Sequence, residues 1–450
     1  MSRMIVMCIF LTSLVLECWA GDVEPPSGHV LRISLKQAVT IALAPDGSTR
    51  LKLAEEEVER TRAQAAQSRA SLLPNLDASY LQRHYSTNLG ILGLPVGVTL
   101  VPGFSLPELV GPLQEIDARA AVTENVLDVS MIRRFQAARV GVSAARAEGE
   151  STSDQVAAQV ARFYLEALRA EAAVKTAQAN VTLAEALLKD ARDRQATGTG
   201  IAIGTTRAQL QLATQQQQLL VQENARDRAH LKLLRAMGLN LEYAVELTDE
   251  LSAAPVETPT LEQAITEALQ SRSDYHELEL RQERARLNYR AVTLEQLPSL
   301  QGFADYGSLG SGLTHNLPTY SYGFQVRLPV FDGRERAARR AVARVSLREE
   351  QINIADLRQQ IELDVRTAFQ SLQSGVLQMK VAQEGLALAE DELAHARRRY
   401  LAEVGRDLEV ADAQDRLARA RDNQTEALFN YGLARIDLYA AMGTIRRMLQ

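Results

Sequence analysis

The chain has 450 residues, 46% of them hydrophobic, and a formal net charge of −6 at pH 7. This mild acidity argues against nucleic acid as a partner. Both cysteines, Cys8 and Cys18, lie within the first 20 residues. The rest of the chain is therefore expected to have no disulfide, no thiol chemistry and no cysteine metal site.

The N-terminus has the composition of a secretory signal peptide. Arg3 is followed by an apolar run from Met4 to Leu16, and Cys18-Trp19-Ala20 precedes Gly21 with a small residue at the expected cleavage point. We therefore predict a signal peptide over residues 1–20, an N-terminal linker over 21–32 and an exported mature protein.

The remainder of the chain is a duplication. The segment Val160–Gly238 recurs as Val365–Gly443 at one constant offset, so that Ala236-Met237-Gly238 corresponds to Ala441-Met442-Gly443. A repeat on this scale is normally an architectural device in which like units pack against each other. We assign repeat 1 to residues 33–250 and repeat 2 to residues 251–450.

In both repeats a proline ends a helix and leads into strands. Leu73-Pro74 and Leu297-Pro298 mark these boundaries, because proline breaks a helix and favours extended geometry in the residue before it. Apolar and polar residues then alternate, which fits a half-buried sheet in water and equally fits a transmembrane barrel strand. The predicted strands cover residues 75–85, 115–127, 299–308 and 319–331.

A loop is predicted over residues 86–114, between the first two strands. It contains an uncharged stretch, residues 88–107, that is interrupted by several prolines and glycines. These breakers make a lipid-spanning helix there unfavourable, so we interpret the stretch as a long apolar surface loop.

Each strand pair is followed by a proline-free helix of about 65 residues, which would be about 100 Å long. The return helix of about 36 residues is too short to cover it. Together with the helix of about 24 residues that precedes the strands, it would match the long helix end to end. Narrow stripes of small apolar residues favour side-by-side coiled-coil packing. The predicted helices cover residues 131–195, 202–237, 334–401 and 407–442.

Four strands are too few for one chain to close a barrel, which needs about eight. An open transmembrane sheet would leave unpaired backbone groups at its edges in lipid, which is prohibited. If these strands cross a membrane, they must join those of other copies. Two chains would supply eight strands and three chains would supply twelve, and cyclic symmetry makes such closure natural.

The turn from the last strand to the second long helix resembles a known family. Leu328-Pro329-Val330-Phe331-Asp332-Gly333, followed by Arg334 and Arg336, is similar to the Leu-Phe-Asp-Gly-Gly-Arg signature of TolC-type outer-membrane efflux proteins. Val126-Leu127-Asp128 in repeat 1 is a looser match. The Leu-Pro-x-Leu segments at residues 73–76 and 297–300 are also similar, and the resemblance extends over nearly the whole mature chain.

The resemblance implies a mainly α fold with a small β part, in two tandem repeats. It further implies a homotrimer in which a 12-stranded β-barrel in the outer membrane continues as a 12-helix α-barrel into the periplasm. Such proteins are passive exit ducts of tripartite efflux or type I secretion systems. Their partners are a periplasmic adaptor protein, an inner-membrane pump and outer-membrane lipid.

The family places its periplasmic gate where the second long helix turns into its return helix. Two acidic residues three apart before an Ala-Gln pair are common there, and Glu409 and Asp412 fit this pattern before Ala413-Gln414. Three chains would then form two rings of carboxylates, with Arg207 and Arg406 as possible counter-ions. Acidic residues are also favoured at helix N-termini by the helix dipole, so the pattern has a purely structural alternative.

No catalytic or cofactor motif is found in the sequence, which argues against an enzyme and predicts no cofactor. No two of the six histidines have the spacing of a metal site. Two other functions stay open: an exported periplasmic coiled-coil adaptor and a structural envelope protein. An adaptor would carry one helical hairpin with lipoyl-like and small barrel modules, and a structural coiled coil would lack the alternating, tyrosine-bearing strands.

Overall fold

The computed structural model describes residues 30–449, except for residues 94–98, 102–103, 106, 198–201, 253–258, 313–315, 403 and 405–406. The predicted signal peptide and residues 21–29 of the predicted linker lie outside the described residues. Helices dominate and strands form a small part, which confirms the mainly α prediction. Within this part of the chain, no helix is both long and apolar enough to cross a membrane.

The helices include two that are far longer than the rest. Both lack proline, and each follows a strand of a hairpin. Two glycines inside each of them do not end the helix. The helices are α1 (Leu35–Leu43), α2 (Thr49–Ala70), α3 (Val129–Ala196), α4 (Ala202–Met237), α5 (Leu261–Ser271), α6 (Ser273–Leu294), α7 (Glu335–Leu401), α8 (Asp407–Ala441) and α9 (Ile445–Leu449).

The strands form three small sheets in the described residues. They are β1 (Val30–Ile33), β2 (Asn75–Asn88), β3 (Thr99–Val101), β4 (Phe104–Ser105), β5 (Leu109–Leu127), β6 (Ala244–Leu247), β7 (Ser299–Gly310) and β8 (Asn316–Arg327).

The long helices are covered by pairs of short helices. Helix α3 contacts α2 and α4 from repeat 1 and α6 and α8 from repeat 2, whereas α7 contacts α5, α6 and α8. Near the sheet, Gly141 of α3 faces both Thr61 of α2 and Arg284 of α6. Each protomer therefore consists of four parallel rods in the order α2/α4, α3, α6/α8 and α7.

Two equivalent glycines allow the short helices to meet end to end. Gly238 follows α4 at φ 75°, and a Cβ on it would lie 2.3 Å from the carbonyl oxygen of Gly47, just before α2. Gly443 follows α8 at φ 69°, and its Cβ would lie 2.9 Å from the backbone nitrogen of Arg272, just before α6. The repeated Ala-Met-Gly motif thus marks both junctions, where left-handed geometry and close approach require glycine.

Ion pairs connect α3 to the rods on either side. Arg162 lies 2.7 Å from Asp437 and Arg169 lies 3.1 Å from Glu426, both on α8. On the other side, Lys232 of α4 lies 2.7 Å from Glu166. Exposed pairs of this kind contribute little stability individually, but their complementary charges favour one register of the rods.

The largest buried cluster lies where the rods pass β1 and β6. Its centre is Tyr164, which is fully buried and whose hydroxyl lies 3.0 Å from the Ile33 carbonyl and 2.9 Å from Asp249 Oδ2. Asp249 also accepts a 2.7 Å hydrogen bond from the backbone nitrogen of Leu35. Burial and the adjacent carboxylate raise the pKa of Tyr164, so it stays a neutral donor.

The four-stranded sheet has the order β2-β5-β7-β8, and all neighbours are antiparallel. Strands β2 and β8 are therefore its two edges. Neither edge has a further partner among the strands that the structure describes. The sheet combines one hairpin from each repeat, and the two hairpins meet along β5 and β7.

One face of this sheet is apolar, as the alternation predicts. The rungs Leu76–Val122–Ala304–Tyr322 and Ala78–Ala120–Tyr306–Tyr320 project to this face by register. Its aromatic side chains are between 61% and 78% exposed in the single chain. They are Tyr80, Tyr306, Tyr320, Tyr322 and Phe324.

The opposite face is polar and charged. Arg119 forms ion pairs with Asp305 on β7 and, at 3.3 Å, with Asp117, and the Ser321 hydroxyl donates to Asp305. A side chain at Gly307 would collide with Ala118 and Arg119, so this glycine leaves space for the cluster. The two faces therefore have the contrast expected between a lipid contact and an aqueous lumen.

Several predicted boundaries were wrong. Residues 30–32, assigned to the linker, belong to β1, which pairs in parallel with β6 through Val30 and Ala244. The loop over 86–114 is shorter than predicted, because the hairpin continues to Asn88 and Leu109. Strand β8 ends at Arg327 instead of residue 331, because Pro329 has no N–H to donate to a ladder.

Replacing either junction glycine with alanine should destabilise the rods. Gly238→Ala and Gly443→Ala each place a Cβ against backbone atoms at a left-handed position, and we expect a loss of about 2 kcal/mol or more for each. Gly149→Ala is the matched control, because no atom lies within 4 Å of its added Cβ inside α3. The thermal unfolding midpoint of each variant measures this loss. Equal midpoints for all three variants would contradict the requirement for glycine at the two junctions.

Candidate functional site

The candidate gate lies at the far end of the rods, where each long helix turns back. Helix α3 ends at Ala196 and α7 ends at Leu401, and their return helices begin at Ala202 and Asp407. The two tips pack together through an apolar cluster in which Leu187 of α3 contacts residues of α7 and α8. Its buried members are Ala389, Leu393, Ala396, Val410, Ala413 and Leu417.

Glu409 and Asp412 lie on the exposed face of the first turns of α8. Val410 and Ala413, which alternate with them, are buried against α7. The acidic pair is therefore held on the exposed side of a helix whose opposite side packs against α7. Both residues are open to solvent in the single chain.

The structure does not bring the predicted counter-ions to this pair. Arg207 is exposed on α4, and no carboxylate of the described residues lies within 4.0 Å of its guanidinium. Arg406 lies outside the described residues. The cation found near the acidic pair is instead Arg399, near the end of α7, whose Nε lies 3.7 Å from Glu409 Oε2.

Arg399 was not predicted as a partner of the acidic pair, although the sequence contains a signal for it. Arg399 ends a run of three arginines, Arg397 to Arg399, in the last turns of α7. Basic residues there complement the negative end of a helix dipole. Which of the three turns toward Glu409 depends on the geometry of the helical turn, and periodicity alone does not specify that geometry.

A second missed contact joins the tips of the two repeats. The Arg194 guanidinium near the end of α3 lies 4.1 Å from the ring centroid of Tyr400 near the end of α7, and 3.1 Å from Asp190 Oδ2. A guanidinium over a tyrosine ring contributes about 0.5–2 kcal/mol, depending on desolvation. This contact spans from repeat 1 to repeat 2 within one chain, so it holds the two hairpin ends together.

The Ala-Gln pair after the acidic residues is part of the packing. Ala413 and Gln414 are both buried, and Ala413 belongs to the apolar cluster at the tips. The next residue, Asp415, accepts a 3.4 Å hydrogen bond through its Oδ1 from Nε2 of Gln211 on α4. The small alanine therefore allows close helix contact, and the acidic residues before it are free of that constraint.

The coupling between Arg194 and Tyr400 can be measured directly. We expect Arg194→Gln and Tyr400→Leu each to increase amide hydrogen exchange in the last turns of α3 and α7, because each removes the cation–π contact. A double-mutant cycle should give a coupling free energy of about 0.5–1 kcal/mol. Tyr400→Phe keeps a ring and should retain most of it, whereas strictly additive effects would show that the contact does not join the tips.

No group of three or more His, Cys, Asp or Glu residues in the described chain is arranged to hold a metal ion. The grooves between the rods are open and lined by both polar and alanine side chains, as in the groove of about 300 Å³ between α3, α4 and α8. The tips of the rods therefore provide exposed charge and a contact that joins the two hairpin ends.

Comparisons with known proteins identify the relatives of this chain. The family model described as outer membrane efflux protein matches residues 264–444. The pyoverdine export outer membrane protein OpmQ of Pseudomonas putida is 25% identical over 308 residues, which cover 67% of this chain and 64% of that protein. The probable efflux pump outer membrane protein TtgC of the same species is 26% identical over 233 residues, 49% of this chain and 46% of that protein.

These matches span less than two thirds of the length of either relative. Both relatives are named as outer membrane proteins, which confirms the predicted location in the outer membrane. Neither name describes an enzyme.

Solved structures share the fold over most of the chain. The CmeC outer membrane channel of Campylobacter jejuni superposes with a TM-score of 0.79 at 16% identity, covering 91% of this chain and 85% of that one. The VceC outer membrane protein of Vibrio cholerae gives a TM-score of 0.76 at 17% identity and covers 91% and 96%. Together with the family match, these structures confirm the resemblance to TolC-type outer-membrane efflux proteins.

Proposed function

We propose that this chain, an outer-membrane efflux protein of the TolC type by sequence and fold, is the exit duct of a tripartite efflux or type I secretion system. Three copies would close one 12-stranded barrel in the outer membrane, and their rods would continue it as a 12-helix tunnel through the periplasm. The observation that supports this most strongly is the four-stranded sheet with an exposed apolar face and two unpaired edges.

Closure by other copies follows from the edges of the sheet. Strands β2 and β8 would expose rows of unpaired N–H and C=O groups to lipid if the chain acted alone. A β8 edge of one copy placed beside the β2 edge of the next satisfies both rows. Three copies supply twelve strands, enough to leave an aqueous lumen lined by the polar face that carries Arg119 and Asp305.

The two terminal rods have apolar residues without partners in the single chain. On α7, exposed residues include Val342, Val345, Ile352 and Leu388, and on α4 they include Leu210 and Leu220. These rods lie at opposite sides of the four-rod layer. Contact between α7 of one copy and the α2/α4 rod of the next would bury both stripes and continue the closure that begins in the sheet.

The tips would form the gate of this tunnel. Glu409 and Asp412 of three copies would make two rings of carboxylates, which attract cations and resist close approach at neutral pH. Arg399, 3.7 Å from Glu409, would partly neutralise the negative charge of the ring that Glu409 forms. The Arg194–Tyr400 contact joins the ends of α3 and α7 within one copy. Opening would therefore either break this contact or move the two helix ends as one unit.

The duct itself would be passive. An inner-membrane pump would supply the energy, a periplasmic adaptor would connect it to the tips, and small molecules or polypeptides would pass. The relatives are named for pyoverdine export and for efflux. The cargo of this chain is expected to be chosen by its pump, because the lumen and tips provide only charge and width for selection.

An exported coiled-coil adaptor or a structural envelope protein would not need an apolar sheet face. The alternating face with Tyr306, Tyr320 and Phe324 exposed has no role in a purely water-filled compartment. The arrangement of the sheet therefore favours the channel over both alternatives.

Conductance in planar lipid bilayers tests the proposal. The purified full-length protein should form ion-conducting channels, and Glu409→Ala with Asp412→Ala should raise the leak conductance or weaken block by divalent cations. Glu55→Ala with Glu56→Ala removes two exposed carboxylates from α2, far from the tips, and should leave both properties unchanged. Absence of conductance would contradict the channel, and unchanged single-channel behaviour in the tip variant would contradict the gate.

A further inference from the structure

The parts of the rods next to the sheet carry a net positive charge, although the chain as a whole is negatively charged. We define the arginine collar as the four rod segments at residues 60–74, 128–140, 284–298 and 332–344. These segments contain fourteen arginines, no lysine and only four acidic residues, in a chain whose net charge is −6. The arginines are Arg60, Arg62, Arg69, Arg133, Arg134, Arg139, Arg284, Arg286, Arg290, Arg334, Arg336, Arg339, Arg340 and Arg344.

All four segments lie at one end of the sheet. Helices α2 and α6 run into β2 and β7, and α3 and α7 begin where β5 and β8 end. Each segment is about 15 residues long, which is about 20 Å of helix. The arginines are thus concentrated in one layer, directly below the strands, on every rod of the protomer.

The acidic residues of the collar do not neutralise it. Asp128 caps α3 through a 2.9 Å hydrogen bond from the backbone nitrogen of Met131, and Asp332 accepts from Arg336. Glu295 pairs with Arg134 and Arg339. The fourth, Glu335, also lies near Arg339, at 3.8 Å. Three further arginines pair with carboxylates just outside the collar: Arg60 with Glu57, Arg62 with Glu59 and Arg286 with Glu283. Six of the fourteen arginines are therefore paired, and eight have no carboxylate within 4.0 Å in the described chain.

One arginine on each rod has no acidic partner in the described chain. No carboxylate of the described residues lies within 4.0 Å of these four guanidinium groups, and all four side chains are exposed. They are Arg69 on α2, Arg139 on α3, Arg290 on α6 and Arg334 before α7. Four unpaired cations within one layer of the rods, about 20 Å deep, attract an external anion.

Exposed apolar side chains lie between the strands and two of these cations, Arg69 and Arg334. Val330 and Phe331, in the turn between β8 and α7, are 86% and 84% exposed, and Leu73 and Leu328 are exposed at the same level. This turn continues the apolar face of β8 past the end of the strand. An apolar surface followed at once by basic groups is the composition of a membrane interface that contacts anionic headgroups.

The backbone at Arg334 gives an independent indication. Arg334 has φ 72°, and it is the one non-glycine residue with positive φ that the described chain contains. A left-handed arginine is strained, and a glycine there would not be. Arg334 nevertheless keeps a cation in the turn next to Val330 and Phe331. An arginine retained at a strained position fits a functional role for its charge.

We propose that the arginine collar binds the phosphate groups of anionic phospholipids in the leaflet next to the rods. The proposal rests on the proposed function for the position of the sheet in the membrane. Guanidinium groups hold phosphate oxygens through paired hydrogen bonds, and the apolar residues above would contact the acyl chains. The collar would thereby fix the depth at which the barrel sits and hold a shell of anionic lipid around it.

Lipid retention tests the collar. The full-length protein would be exchanged into detergent micelles that contain equal amounts of phosphatidylglycerol and phosphatidylethanolamine, and retained lipids would be quantified by mass spectrometry. We expect a several-fold preference for phosphatidylglycerol that decreases with added salt. Arg69→Gln, Arg139→Gln, Arg290→Gln and Arg334→Gln together should bring the ratio close to one.

A matched control removes the same charge elsewhere. Arg228→Gln, Arg235→Gln, Arg397→Gln and Arg419→Gln change four exposed arginines of α4, α7 and α8 that lie outside the collar and have no carboxylate within 4.0 Å in the described chain. This variant should keep the preference. Loss of preference in both quadruple variants, or in neither, would overturn the collar.

Arg334→Gly separates charge from structure. It relieves the strained backbone and removes the cation, so the thermal unfolding midpoint should rise while phosphatidylglycerol retention falls. A fall in both would overturn the functional role of Arg334. A collar variant that keeps the lipid preference but shifts ion selectivity would show that the arginines face the lumen. A protein that prefers phosphatidylglycerol yet conducts no ions would contradict the channel and leave the collar standing.

Discussion

The structure depends on the prohibition of unpaired backbone groups in lipid. A four-stranded sheet with one apolar face has a reason to enter a membrane, and its edges β2 and β8 prevent it from staying there alone. The rods have the same property, since α7 and α4 expose apolar residues at opposite sides of the layer. Under the proposed function, one arrangement would satisfy both the sheet and the rods, namely assembly with further copies around one axis.

The duplication gives such an assembly two equivalent structural units per chain. Each repeat supplies a hairpin to the sheet, a long helix and two short helices that together match its length. Gly238 and Gly443 form the two equivalent junctions, where a left-handed glycine lets one helix end against the start of the next. The four rods of one chain are thus nearly equal in length, as the tunnel of the proposed function would require.

Most helices and strands were predictable from the sequence, because proline breaks and apolar–polar alternation depend on residues that are close together in the chain. Long-range pairing was not predictable in the same way: β1 was assigned to a linker because its partner β6 lies more than 200 residues away. At the tips, the resemblance to the family predicted Glu409 and Asp412, and Arg207 and Arg406 were expected as their counter-ions. Arg399 and the Arg194–Tyr400 contact depend on side-chain directions at helix ends, which only the packed tips determine.

Cysteine cross-linking between the sheet edges tests the central claim most directly. Both native cysteines lie in the predicted signal peptide, so Ser79→Cys on β2 can be combined in turn with Leu317→Cys, Thr319→Cys, Ser321→Cys or Gly323→Cys on the same face of β8. Closure by three copies predicts that at least one pair forms disulfides between chains, in membranes, with a ladder that stops at three. A ladder that continues beyond three, or cross-links absent from every pair, would contradict the shared barrel.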